Sequence, residues 1–432
     1  MAHAAVVIDQ PGPERTSAYG WIVFALSFGL LMSDHMARQV LNAVNPLLKA
    51  EWNLGDAEVA SLSSVVALAV GLLTFPLSLA ADRFGRVRSL FAMATLWSLA
   101  TLGGALAQSY HQMLFARLLV GVGEAAYGSV GIAVVLAVFP VGLRSTLSSS
   151  FLAGSVVGQM VGVAVGGQIA AAHGWRSAFE AIGGAGLVLA ALYLLIVRES
   201  RLGPVPSREK LDWRVLGRQL FGRRLLWLTY FASGSQLFCA GALSVFLPLL
   251  LTRYYAMPID RAGRTTALFL LVCAIGMVTC GVVGDRLARR DPAIKPRVAL
   301  VYALMAAVFF AGAFLAPPGA VQLALIGCAL LVVAGVAGIA GAMAANLTPR
   351  AIHGTVMAVL ALSNNLLGLA PGPFVTGMIA DRIGLDKALL ILPVPCLLCA
   401  LSLVLARGDY ARAMRHGQPP VAEVHLYSSD GS

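Results

Sequence analysis

The chain has 432 residues, of which 59% are hydrophobic and only 12% charged, with a formal net charge of +11. A soluble domain carries about twice that charged fraction, so soluble globular classes are excluded and a polytopic membrane protein is expected. The positive charge does not point to nucleic acid, because the basic residues fall in short stretches between long apolar runs.

The first seventeen residues contain Asp9 and Glu14 and lack a basic segment before an apolar core. They do not read as a cleavable signal peptide, and the first apolar run is expected to stay as an anchor. A span takes about 20 apolar residues, and twelve runs meet that length. Six lie near 19–43, 58–81, 88–108, 112–139, 146–171 and 177–197. Six more lie near 225–251, 265–285, 297–316, 320–345, 354–380 and 387–406. The predicted fold is an all-α membrane protein of twelve transmembrane helices in two six-helix bundles. Its parts are an N-terminal tail (1–18), a first bundle (19–197), a basic linker (198–224), a second bundle (225–406) and a C-terminal tail (407–432) expected to be disordered.

With the N-terminus inside, the inner segments hold more than two-thirds of the 31 Lys and Arg residues. That bias places both termini in the cytoplasm. The linker reads either as an amphipathic helix on anionic lipid, using Trp213, Leu216, Leu220 and Phe221, or as a solvated basic loop. The sequon at Asn346 falls on the cytoplasmic side and is discounted. Cys396 and Cys399 form a C-x-x-C inside an apolar run, where small-residue packing is expected and no metal or redox chemistry. No cofactor is implied. Gly154, Gly158, Gly162 and Gly166 form a ladder that lets helices approach. Pro371-Gly372-Pro373 should kink the eleventh run.

The first run contains charges. An ionised side chain near a membrane helix centre costs about 2.5–3.5 kcal/mol on insertion scales, and such residues suggest a functional site. Asp34 and Arg38 share a face and can pair, and Asn42 and Asn45 continue it. His35 points about 100° away. The fourth run adds Arg117 and Glu124, seven apart on one face. From the outer end, Arg38 and Arg117 lie roughly 8 Å deep, Asp34 roughly 14 Å and Glu124 roughly 18 Å. The competing reading is an ion pair that only holds helices together.

After the second run the chain reads Ser78-Leu-Ala-Ala-Asp82-Arg83-Phe84-Gly85-Arg86. After the eighth it reads Gly281-Val-Val-Gly-Asp285-Arg286-Leu287-Ala288-Arg289. A further echo links Pro140…Arg144 with Pro349…His353. Matching inner loops in two halves mark a duplicated transporter. With these residues the chain resembles the major facilitator superfamily over nearly its whole length. Arg117-Leu-Leu-Val-Gly-Val-Gly-Glu124-Ala-Ala-Tyr127 is similar to the spinster-like branch, whose first-span acid matches Asp34. That branch usually has Arg directly after the acid; here His35 stands there, and Arg38 follows a turn later.

The resemblance implies that Asp82, Arg83, Gly85, Arg86, Asp285, Arg286 and Arg289 form a cytoplasmic gate, with the acid latching the halves. It also implies that the first and fourth helices face each other. The four charges would then form one balanced cluster. The expected roles are proton coupling by Asp34 and Glu124, with His35 as relay or packing residue, and substrate binding by Arg38, Arg117, Tyr127 and Asn42. The second half offers neutral groups, Gln236, Asn364 and Asn365, as substrate contacts or as packing. Gln159 stands where an antiporter signature would have Pro.

The expected function is secondary transport by alternating access, proton-coupled, of an amphipathic or anionic molecule such as a lysolipid. Small organic acids or drugs are the alternative substrates, and a non-transporting sensor or scaffold the alternative class. No enzyme motif is present. The expected partners are a small-molecule substrate, protons and the bilayer, with no nucleic acid, for a monomer in a bacterial inner membrane.

Overall fold

The computed structural model describes residues 17–140, 143–202, 213–289, 291–349 and 352–415. Every regular element among them is helical, as lipid requires of a backbone that must satisfy its own polar groups. The first half contains α1 (Ala18–Trp52), α2 (Asp56–Phe84), α3 (Arg86–Ala105), α4 (Tyr110–Glu124), α5 (Tyr127–Ala137), α6 (Arg144–His173) and α7 (Trp175–Ile196). The short α8 (Trp213–Phe221) leads into the second half. There follow α9 (Arg224–Tyr254), α10 (Ile259–Ala288), α11 (Lys295–Leu315), α12 (Ala320–Asn346), α13 (His353–Asn364), α14 (Pro371–Ile383), α15 (Leu385–Ala388) and α16 (Pro393–Arg415).

Eleven stretches among the described residues are long and apolar enough to cross a membrane, each of the broken runs counting once. The expected third run corresponds to α3, 20 residues long, which carries Ser89, Thr95, Ser98 and Thr101 and packs between α4 and α7. Large apolar side chains such as Phe115, Leu195, Val308 and Leu401 face outward, as a lipid-facing surface does.

Three expected spans are broken, the twelfth between α15 and α16 by a 3-10 turn at Leu389–Ile391. The fourth run divides between α4 and α5 at Ala125–Ala126, directly after Glu124. The eleventh passes from α13 through a π-helical turn, Asn365–Leu369, into α14 at Pro371. A single wide turn there is how the helix accommodates a proline that cannot donate to the ladder. The last helix runs on to Arg415, past the expected end of the second bundle.

Within the linker, Glu199–Arg201 form a 3-10 turn and Trp213–Phe221 a helix. Leu216 and Leu220 of α8 are buried in the core cluster of the second half, while Phe221 is exposed. The side chain of Trp213 and residues 203–212 lie outside the described residues. The glycine ladder sets α6 against α1. A Cβ at Gly154, Gly158, Gly162 or Gly166 would meet Phe28, Met32, Met36 or Val40 within about a contact distance. The halves meet along α2 with α13 and α14, α6 with α10, and α1 with α9. Cys239, Cys396 and Cys399 are free, buried thiols, with Cys239 Sγ 3.6 Å from Cys396 Sγ.

Candidate substrate and coupling site

Glu124 is the last residue of α4. Its place follows from the glycines before it. A Cβ on Gly121 would lie 2.8 Å from Ala69 Cβ of α2, and one on Gly123 would lie 2.8 Å from the Trp97 nitrogen of α3. The two glycines let α4 sink between its neighbours and bring the acid inside. The chain restarts as α5 at Tyr127, whose hydroxyl donates to the Ser27 carbonyl of α1 at 2.8 Å and whose ring meets Trp97 edge-to-face.

Arg38 reaches Glu124 from α1. Its Nε and Nη2 donate to Glu124 Oε2 at 3.1 and 2.8 Å. The Glu124 side chain is 3% exposed and that of Arg38 26%, so the guanidinium is the member that solvent reaches. Glu124 Oε1 has no partner. Asp34, also buried, approaches His35 Nδ1 at 3.3 Å through Oδ2, while its Oδ1 has no partner. His35 Nδ1 lies 3.1 Å from the Leu31 carbonyl of its own helix. Arg38 therefore pairs across the bundle instead of with Asp34 one turn away. The site is an arginine with two acids, whose carboxyl groups also lie close enough to interact with each other.

Arg117 makes no side-chain hydrogen bond to this group. It is fully buried, donates from Nη1 to the Ala37 carbonyl at 2.9 Å and lies 5.0 Å over the Phe179 ring. Its Nε and Nη2 have no partner. Seven residues keep it on the face of Glu124 but separate the two by about 10 Å along the axis. The guanidinium takes the nearer carbonyl of α1. Arg117 thus lies beside the other three charges, close enough to interact electrostatically with Glu124 and Arg38, while its hydrogen bond goes to the backbone.

Asn42 belongs to a chain of neutral groups. Gln39 Nε2 donates to Gln159 Oε1 at 3.4 Å, Asn42 Nδ2 to Gln39 Oε1 at 2.8 Å, and Ser63 Oγ to Asn42 Oδ1 at 2.9 Å. It ties α6, α1 and α2 together. Sequence reasoning missed Gln39 and Ser63 as site residues and saw in Gln159 only a missing proline. Their signal was a polar residue in an apolar span three positions from another.

In the second half, Ser233 Oγ donates to Asn364 Oδ1 at 2.7 Å. Asn365, which opens the π turn, donates to Ala361 O at 2.9 Å and keeps Oδ1 unpartnered. Gln236 is fully buried with neither amide atom partnered. Tyr127 and Gln236 thus sit in the packed interior in this conformation, away from any open surface.

At the inner loops, Arg83, Asp285, Arg286 and Arg289 are exposed. The side chain of Asp82 lies outside the described residues. Gly85 holds φ +92°, a conformation that favours glycine, and turns α2 into α3. The backbone N–H groups of Arg86 and Val87 donate to Glu199 at 2.9 and 2.7 Å. Glu199 thus caps α3, a contact that no local pattern revealed.

Residues 26–373 match the family model of the Major Facilitator Superfamily. The chain belongs to the major facilitator superfamily. It is therefore a transporter-family, multi-pass membrane protein and not an enzyme. Among its relatives is protein spinster homolog 1 of Bos taurus, 24% identical over 414 residues, covering 88% of this chain and 77% of that one. The gallate transporter of Pseudomonas putida is 27% identical over 323 residues, covering 67% and 70%. The hexuronate transporter of Bacillus subtilis is 24% identical over 380 residues, covering 84% and 88%. The fold is shared with the crystal structure of a bacterial homolog to the human lysosomal transporter Spinster, in an inward-facing and unoccupied conformation. The TM-score is 0.79 at 21% identity, over 93% of this chain and 98% of that one.

Proposed function

We propose that this superfamily member is a proton-linked transporter of organic anions, working by alternating access as a monomer. In this reading α3 is the third of twelve spans, both termini are cytoplasmic, and the membrane is a bacterial inner membrane. The observation that carries it is the Arg38–Glu124 pair, with Asp34 beside it. An anion that enters competes with Glu124 for the exposed side of Arg38. The displaced carboxylate is then buried without a counter-charge, the arrangement in which taking up a proton removes the cost. Loading of anion and loading of proton become one event, and Asp34 is the second acceptor.

An amphipathic anion such as a lysolipid is supported by an apolar cavity of about 450 Å³ between α2, α8 and α13, lined by Leu72, Leu216, Leu220, Val359 and Leu366 among others. A small hydroxylated acid is the second reading. The Gln39–Asn42–Ser63–Gln159 chain favours it, because paired amides can exchange their hydrogen bonds for substrate hydroxyls. The gallate and hexuronate transporters among the relatives carry such acids by name. The gate role of the two inner loops belongs to the same proposal.

Uptake into proteoliposomes under an imposed pH gradient, with lysolipids and hydroxylated acids in parallel, separates the two. No gradient-dependent flux of either class would refute the proposal and leave a sensor or scaffold.

A further inference from the structure

Polar contacts between the halves gather at the end that the charge bias places outside. Asp56 opens α2. Its Oδ1 accepts from Lys49 Nζ of α1 at 2.6 Å and from Arg253 Nη2 of α9 at 3.0 Å, and its Oδ2 accepts from Arg253 Nη1 at 3.3 Å. Asp381, near the end of α14 in the other half, accepts from the backbone N–H of Asp56 at 2.5 Å and of Ala57 at 3.0 Å. A helix start leaves N–H groups without partners, and a carboxylate is their strongest acceptor. The N-cap of α2 is Gly55, which has no side chain to offer. The cap comes from across the interface.

The local sequence is cut to fit this contact. A Cβ on Gly55 would come within 3.1 Å of the Asp381 carboxylate, and one on Gly377 would come within 2.6 Å of the Asp56 carbonyl. Beneath it, Leu54 just before α2 and Val59 and Ala60 within it are buried in the core cluster of the second half. The internal repeat supplies a comparison. Gly167-Gln-Ile-Ala170-Ala171-Ala-His-Gly174 aligns with Gly377-Met-Ile-Ala380-Asp381-Arg-Ile-Gly384. Gly167 packs against the start of α10 as Gly377 packs against the start of α2. Yet Ala171 stands where Asp381 does. The duplicated scaffold needs no acid there; one half has it. At the inner end, by contrast, no ion pair between described residues joins the halves through Arg83, Asp285, Arg286 or Arg289.

We infer that Asp381 is an outer latch of the transport cycle: by capping α2 across the interface, with the Asp56–Arg253 pair beside it, it holds the outer side shut and must let go for that side to open. The inference rests on the alternating-access reading. It does not depend on which substrate is carried.

The test places Cys at Ala60, fully buried under the latch, in the full-length chain in right-side-out vesicles. A membrane-impermeant maleimide is added outside, and labelling of residue 60 is followed by mass spectrometry. Asp381→Asn removes the charge at constant size and should raise the labelling rate about tenfold, as expected for loss of charge-assisted hydrogen bonds. Asp381→Glu, which keeps the charge, should stay within a few-fold of the parent. Ala57→Pro removes one donor at a position where a first helical turn tolerates proline, and should move the rate the same way. It also serves if Asp381→Asn does not fold. Unchanged labelling in the folded variants would overturn the latch. So would simultaneous labelling of Cys399, buried in the core of one half, because that reports unfolding. Flux of organic anions in the unmodified chain is measured separately. Its absence would count against transport and leave the labelling result to stand or fall alone.

Discussion

Glu124→Gln separates anion binding from proton coupling. In the native pair, two N–H groups of Arg38 converge on one carboxylate oxygen. Breaking a fully buried ion pair costs about 3–5 kcal/mol. Here the amide oxygen can still accept from Arg38, and Arg38 is 26% exposed, so part of that cost is recovered. Replacing charged hydrogen bonds, each about 1.5–3 kcal/mol, by neutral ones of about 1 kcal/mol leaves a net loss of about 1–2 kcal/mol. The same loss is the competition that an incoming anion no longer faces. The variant should fold with modestly lowered thermal stability and bind its anion about tenfold more tightly, since about 1.4 kcal/mol is one decade. With no titratable group at residue 124, accumulation driven by a pH gradient should fall to the level without gradient, while exchange of labelled for unlabelled anion across the vesicle continues. Counterflow and gradient-driven uptake in the same proteoliposomes read both. Wild-type accumulation in the variant, or loss of exchange with unchanged affinity, would refute the reasoning.

Arg117→Met should leave thermal stability equal or higher by about 1–4 kcal/mol, the range seen when buried charges give way to apolar groups, because two of its nitrogens are unpartnered; anion affinity should stay within a few-fold, as a titration would show. Gly123→Ala should cost about 1–3 kcal/mol by overpacking against Trp97, visible as a lower unfolding temperature in detergent together with lost flux. Glu199→Ala should cost about 0.5–2 kcal/mol through the lost cap of α3, with faster amide exchange confined to the first turn of that helix.

The membrane class, the run layout and the duplicated loops were legible because lipid imposes length and composition on each span separately. Asp34, Arg38 and Glu124 stood out for the same reason: a charge in such a run is too costly to be incidental. Their pairing was not legible. Helical spacing ties Arg38 to Asp34, and only the approach of α4, set by Gly121 and Gly123, makes Glu124 the nearer partner. Arg117 was read at the depth of Arg38, but its partner was not legible: only the packing of α4 on α1 gives its guanidinium the Ala37 carbonyl. Gln39 and Ser63 escaped notice because neutral polar residues cost little and serve packing as often as substrate. The break at Ala125–Ala126 falls on two alanines, good helix formers, and Asp381 acts on a helix that begins 325 residues earlier.

One helix grips the severed fourth span on both of its fragments. Ser27 holds the hydroxyl of Tyr127 on the far fragment, and Arg38 holds Glu124 on the near one. Eleven residues along α1 set these grips about 16 Å apart, while the residues they hold, Glu124 and Tyr127, stand three positions from each other. A tilt of α1 therefore does not carry the fourth span along as a rod. It shears the joint between the fragments, and the acid stands at that joint.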